Sequence, residues 1–241
     1  MTLQLKNAQK AIRALANPAK AKFLLRFFKT GPGEYSEGDQ FLGLTVPQTR
    51  SLVREFRDLP LADCIKLLKS PFHEERLMAL LILGEQFGRH QKQDNEAAQK
   101  KIYDLYLAHT KHVNNWDLVD SSASYIVGAY LFNRDRKILD RLAKSKDLWE
   151  RRIAIVATHY FIRKNDLKYT FRISEALLGD KHDLIHKASG WMLREAGKKD
   201  LAPLEAFLEK HAYKMPRTML RYSIERMTPQ KKKHYMGFGK D

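Results

Sequence analysis

The sequence predicts an all-α chain built from stacked helix pairs. Apolar residues recur three and four apart through nearly its whole length, and sustained two-residue alternation is missing. The pattern opens over residues 11–28. Residues 30–39, Thr-Gly-Pro-Gly-Glu-Tyr-Ser-Glu-Gly-Asp, are rich in glycine and turn formers and are expected to form a loop, with Tyr35 placed where a phosphate could meet it. Helical spacing resumes over 52–68, 74–87 and 97–109. It continues through 117–132, where Ser121, Ser122, Ala123, Ser124, Gly128 and Ala129 are small enough to admit a helix or a ligand, and on to Met227. The stretch Pro229-Gln230-Lys231-Lys232-Lys233-His234 reads as a charge run opening a basic, solvated tail over 229–241.

Short windows of this pattern repeat. Leu67-Leu68-Lys69-Ser70 precedes Glu75-Arg76-Leu77, as Leu142-Ala143-Lys144-Ser145 precedes Arg151-Arg152-Ile153. Leu177-Leu178-Gly179-Asp180 precedes His186-Lys187-Ala188, and Phe207-Leu208-Glu209-Lys210 precedes Arg217-Thr218-Met219. A period of roughly 30 to 40 residues made of helix pairs indicates a HEAT-like or armadillo-like solenoid, because one pair cannot bury its apolar face alone. The expected architecture is therefore a curved superhelical solenoid, one domain over 1–241. In this register Arg76, Arg152, Lys187 and Arg217 open the second helix of successive units and would line a basic concave face; alternatively each caps a solvated surface.

The chain carries 44 Lys plus Arg against 28 Asp plus Glu, a formal net charge of +16, which points to phosphate-bearing partners. Anionic membrane fits less well, since the basic residues are spread through the chain and no polybasic helix concentrates them. No apolar run approaches the roughly 20 residues that cross a bilayer, and the first residues lack the apolar core of a signal peptide. Cys64 is the only cysteine, so an intrachain disulfide and a thiolate metal cluster are both excluded, as suits the cytoplasm.

Trp116 and Asp120, in Asn114-Asn115-Trp116-Asp117-Leu118-Val119-Asp120, stand one helical turn apart and would share a face. A carboxylate there would be partly desolvated unless a cation compensates it, and Arg152 is the natural candidate. The competing reading is that Asp120 caps a helix or pairs with Arg152 to hold two repeats together. Trp191 follows Ser189-Gly190, and glycine inside a helix costs about 1 kcal/mol against alanine, so a packing or access reason is expected. Trp149 opens the helix that holds Arg152 and reads as an anchor. The histidine pairs His109/His112 and His182/His186 lack a third ligand and have Lys111 and Lys187 beside them, so no metal is expected. Neither a nucleophile elbow nor a Gly-rich loop of Walker or Rossmann spacing is present, and no cofactor is expected.

Four pieces together carry a resemblance: Phe27-Phe28-Lys29-Thr30-Gly31-Pro32-Gly33-Glu34-Tyr35, Asn114 to Asp120, Trp149-Glu150-Arg151-Arg152-Ile153-Ala154, and Gly190-Trp191-Met192-Leu193-Arg194-Glu195. In this order, over nearly the whole chain, they resemble the bacterial AlkD-type DNA alkylation repair family of HEAT-repeat DNA glycosylases. The resemblance implies Asp120 as the catalytic carboxylate, Trp116 and Trp191 as aromatic walls, and Arg152 as the adjacent basic contact. With it, Arg152, Lys187 and Arg194 are expected to hold the phosphates around the lesion, and Tyr35 from the loop, Arg151, and Arg76 and Arg217 from the repeat register are further expected DNA contacts. Expected with it are a monomer acting on duplex DNA with cationic N3- or N7-alkylated purines, and monofunctional hydrolysis that leaves the lesion in the duplex. A non-catalytic binder of unusual DNA structures is the alternative, and a protein-interaction scaffold is a third reading that the charge disfavours.

Overall fold

Capping residues divide the apolar pattern into its helices. In the computed structural model, which describes residues 2–238, extended pairing among the described residues is confined to one bridge between Gln40 and Phe72, and the fold is all-α. The stretch 11–28 splits into α1 (Leu3–Ala14) and α2 (Pro18–Phe27). The break falls at Asn17-Pro18, where the Asn17 side chain accepts from Lys20 N at 3.0 Å and proline occupies the first turn. Likewise 52–68 is two helices, α3 (Val46–Phe56), opened by a Thr45/Gln48 capping box, and α4 (Leu61–Leu68), which begins after Pro60. There follow α5 (His73–Lys92), α6 (Glu96–Ala108), a 3₁₀ turn (Thr110–His112) and α7 (Trp116–Ala123). A π-helical segment, Ser124–Gly128, leads into α8 (Ala129–Leu131). The remainder is α9 (Lys137–Leu142), α10 (Leu148–Arg163), α11 (Lys168–Ala176), α12 (Asp183–Lys199), α13 (Leu201–His211), α14 (Arg217–Ser223) and α15 (Pro229–Gly237).

Two compact units result, one ending at Ile126 and the other beginning at Val127. In the first, α5 is the central element, packed by α3, α4, α6 and α7. Its residues 73–80 are buried without interruption, and Leu77, Met78, Leu80, Ile82, Leu83 and Phe87 form core at 2% exposure or less. Burying each such side chain is worth about 1.5–3 kcal/mol. A helix enclosed on all sides leaves its polar residues no solvent, so His73, Glu74, Glu75 and Arg76 must find partners within the protein.

In the second unit α10, α12 and α14 lie side by side, with α11 against both α10 and α12 and α13 against α12. Leu193, Leu204, Phe207, Leu208, Met219, Leu220 and Ile224 fill the core between the last helices. Gly190 is required there: a Cβ at that position would stand 2.5 Å from both Met219 O and Tyr222 Cβ. Trp149 is an anchor, 7% exposed. The tail expected to be a solvated charge run is instead mostly the helix α15, capped by Thr228 and Pro229, with Tyr235 buried and Lys231 paired with Glu205. Residues 239–241 of that tail lie outside the described residues.

The structure also corrects the repeat register. The fourth residue of α5, α10 and α12 turns back onto the carbonyl six residues earlier: Arg76 Nη1 to Ser70 O at 3.0 Å, Arg151 Nη1 to Ser145 O at 3.0 Å, His186 Nε2 to Asp180 O at 2.6 Å. Arg76 therefore corresponds to Arg151, while Arg152 and Lys187 share the next position, which Arg221 takes on α14. Arg217 is the first residue of its helix and falls outside this register.

Candidate active site

Asn115 opens α7 by accepting from Trp116 N at 2.8 Å, which starts the helix so that Trp116 and Asp120 are separated by one turn. Both half-buried side chains line one cavity of about 360 Å³ within the first unit. Its walls are aromatic and aliphatic: Leu24, Phe27 and Phe28 from the end of α2, Phe41 and Leu44 from the loop, Leu77 from α5. The polar lining comes from Thr45, His73, Glu74, Asp117, Asp120 and Ser121. Trp116 stacks on Phe28 with centroids 5.4 Å apart and meets Phe27 edge-on at 6.1 Å. Phe23 continues the series at 6.1 Å from Phe27, and both are largely exposed, at 64% and 53%.

The four consecutive ionisable residues at the start of α5 hold this cavity together, tying the helix to the loop, to α1 and to α7. Glu74 accepts three backbone N–H groups, from Leu42 at 2.9 Å, Gly43 at 2.8 Å and Leu44 at 3.1 Å, which pins the loop's last turn to the helix. Gly43 adopts φ +89°, and a Cβ there would lie 2.2 Å from Asn17 O, so only glycine lets the loop pass under α2. Glu75 takes Arg13 from α1 at 2.7 Å. Arg76 Nη2 meets Asp39 Oδ1 at 2.7 Å, and His73 lies between Asp39 and Asp117, 3.4 and 2.8 Å away. The hydrogen bond from His73 and the positive charge of Arg76 overcome the burial penalty and hold Asp39 below the usual carboxylate range. Beneath α7, Tyr106 and Ser122 share a hydrogen bond of 3.0 Å; burial first, and the nearby charge of Asp120 after it, raise the Tyr106 hydroxyl.

Cations without a partner gather one turn along. Val46 and Leu77 line the cavity; four residues on, Arg50 and Leu81 line a second groove of about 410 Å³ with Val53, Arg54, Arg57 and Glu85. Among the described residues the guanidinium groups of Arg50 and Arg54 have neither a hydrogen-bond nor an ion-pair partner, and both residues are exposed. Four residues on a helix rise about 6 Å.

Several residues expected to touch DNA have other work. Arg76 is 4% exposed and bonded to Asp39 and to the carbonyls of Ser70 and Pro71; Arg151 bonds Asp180 at 2.6 Å and the carbonyls of Ser145 and Lys146. Both tie a turn to the helix after it. In the second unit Arg152 is buried and donates to Leu184 O, Lys187 pairs with Asp183 at 2.8 Å, and Arg194 bridges Glu195 and Glu225. Trp191 is half-buried beside His159, with ring centroids 5.6 Å apart. Arg217, exposed, donates to Phe238 O and Met236 O, and Tyr35 is half-exposed in the loop. Among the described residues no group of three His, Cys, Asp or Glu side chains could hold a metal ion, and no helix is long and apolar enough to cross a membrane.

Sequence reasoning missed His73, Asp117 and the cavity floor of Phe28 and Phe41. The signal was present as His73-Glu74-Glu75-Arg76 directly before an apolar run, since a charged quartet in a helix with no polar face must be internally paired.

Compared with known proteins, the chain matches the family described as DNA alkylation repair enzyme over residues 8–227. It is also similar to a solved structure of a predicted DNA alkylation repair enzyme from Enterococcus faecalis, with a TM-score of 0.67 and 16% identity over 89% of this chain and 97% of that one. No curated protein matches it.

Proposed function

The chain belongs to the DNA alkylation repair enzyme family, and from that membership we propose that it is a monofunctional DNA glycosylase releasing cationic N3- or N7-alkylated purines from duplex DNA. One observation carries the reading most: Trp116 and Asp120 face one aromatic-walled cavity from adjacent turns of a single helix. N-alkylation makes the purine positive, so its glycosidic bond is already weakened and the base leaves without a general acid. A single carboxylate is then enough. Asp120 stabilises the oxocarbenium-like sugar and takes a proton from the water that attacks C1′, while the base leaves as the neutral alkylpurine. The faces of Trp116 and its phenylalanine neighbours attract the positive species.

Duplex DNA is the proposed partner. The net charge of +16 supports it, as do Arg50 and Arg54, unpaired and about 6 Å apart along α3, a spacing suited to successive phosphates of one strand. From the second unit we assign Arg152 and Trp191 to the lesion strand, with Lys187, Arg194 and Arg217 on flanking phosphates; Tyr35 contacts the backbone from the loop. The lesion stays in the duplex while its backbone is gripped.

The test is incubation of the wild-type protein with a duplex bearing N7-methylguanine. Free base and a matching number of abasic sites are expected. Retardation of the DNA with no abasic sites would leave a non-catalytic DNA binder in its place.

A further inference from the structure

One buried group beside the cavity is not used by the chemistry above. His73 is 2% exposed, with Nε2 2.8 Å from Asp117 Oδ2 and Nδ1 3.4 Å from Asp39 Oδ2. A carboxylate can only accept, so both ring nitrogens donate and the ring is an imidazolium. Its faces pack on Phe28 at 4.9 Å and Phe41 at 4.8 Å, and Phe28 in turn stacks on Trp116 at 5.4 Å. Asp117 lies between Trp116 and Asp120 in the first turn of α7. Asn115, which caps that turn, donates to Ser36 Oγ and to Asp39 Oδ2. The turn is thus fastened to α5 and the loop through one imidazolium and the carboxylates on either side of it.

Resting on the reading that Trp116 and Asp120 serve base release, we propose that His73 is a positioning residue. Acting through Asp117 and Phe28, it orients the first turn of α7, and it does so only while both ring nitrogens carry protons. The charged groups around it come from each packed element: Asp39 from the loop, Asp117 and Asp120 from α7, and Glu74 and Arg76 from its own helix. Glu74 is committed to the loop backbone and Arg76 to Asp39, so Asp117 is the partner whose hold depends on the imidazolium. Loss of the proton leaves the Asp39–Asp117 pair with only Arg76 against it in a buried site. Burial opposes the charge, but Asp117 and Asp39 outweigh it and raise the pKa of His73 to about 9.

The experiment uses the full chain labelled with 5-fluorotryptophan, the Trp116 resonance being identified by its loss in Trp116→Phe. In the wild type that resonance should move with a midpoint near pH 9; in His73→Gln it should be displaced at neutral pH and insensitive to further titration. Single-turnover base release by His73→Gln should fall about 10- to 100-fold with duplex affinity held within about threefold, the pattern of a misplaced reacting group. Asp117→Asn should bring the wild-type midpoint down, and the wild-type titration itself requires no variant to fold. A Trp116 signal indifferent to pH through 9, or His73→Gln releasing base at the wild-type rate, would overturn the proposal. A wild type that releases no base would remove the glycosylase reading, while the fluorine titration still decides whether His73 orients Trp116.

Discussion

Glu74 shows how much structure one buried side chain can fix. Three loop N–H groups end on its carboxylate, and each would be left unpaired in a buried place if it were removed. Glu74→Ala is expected to lower stability by about 3 kcal/mol or more, read from urea denaturation, whereas Glu55→Ala on the exposed face of α3 should stay within about 0.5 kcal/mol. The two neighbouring titrations set a pH window. The folded pKa of His73 lies above its ordinary 6.5, so its contribution is complete below 6.5 and is lost as pH rises through about 9. Asp39 is shifted below its ordinary 3.8, so its contribution is present above 3.8 and disappears as pH falls through the lower folded value. The urea midpoint of the wild type should therefore drop between pH 7 and 10, and that of His73→Gln should drop less. Equal drops in both proteins would show that another group carries the alkaline loss.

At the scale of elements, the helices were legible because their apolar spacing and their caps agree. The breaks inside 11–28 and 52–68 were also written, as Asn17-Pro18 and as Pro60, but apolar periodicity runs across a short turn without a change of phase. The register of the repeats was not legible to the residue. Glu75-Arg76 and Arg151-Arg152 align well as strings, and only the bonds from Arg76, Arg151 and His186 to carbonyls six residues back show which arginines correspond. Charge alone could not separate Arg76, which secures a turn from inside, from Arg50, which stands exposed. Gly190 is the clearest success at this scale, since its presence before Trp191 implied a close approach and α14 supplies it. Gly190→Ala should destabilise by about 1–3 kcal/mol, as overpacking does, with the loss seen in the thermal midpoint. An unchanged midpoint would mean that α14 yields more readily than its distance to α12 implies.

At the scale of the whole molecule, the charge of +16 was the most legible property and the least specific. It pointed to a partner class, and Arg50 and Arg54 stood out only once paired cations were separated from unpaired ones. If Arg50 and Arg54 each neutralise a phosphate, the double alanine variant should reduce the slope of log affinity against log salt by about 1.8, close to 0.9 for each contact. An unaltered slope with weaker binding would assign them to something other than phosphate. Cys64 provides an independent check on integrity in these variants: burial first, and Asp63 beside it, push its thiol up to about 12, so it should react with a thiol reagent only after unfolding. The spacing of Trp116 and Asp120 left a structural role open, and it was the family resemblance that singled out Asp120 as the candidate carboxylate; the network that seats their helix is formed by residues 34 and 44 positions apart along the chain and needs the fold to be seen. The most direct measurement compares wild type with Asp120→Asn on a duplex containing N7-methylguanine, following base release and binding in the same samples. Asp120→Asn is expected to bind the duplex as the wild type does and to release base at least about 100-fold more slowly. Release at the wild-type rate would contradict the assignment of Asp120 and, with it, the chemistry proposed for the cavity.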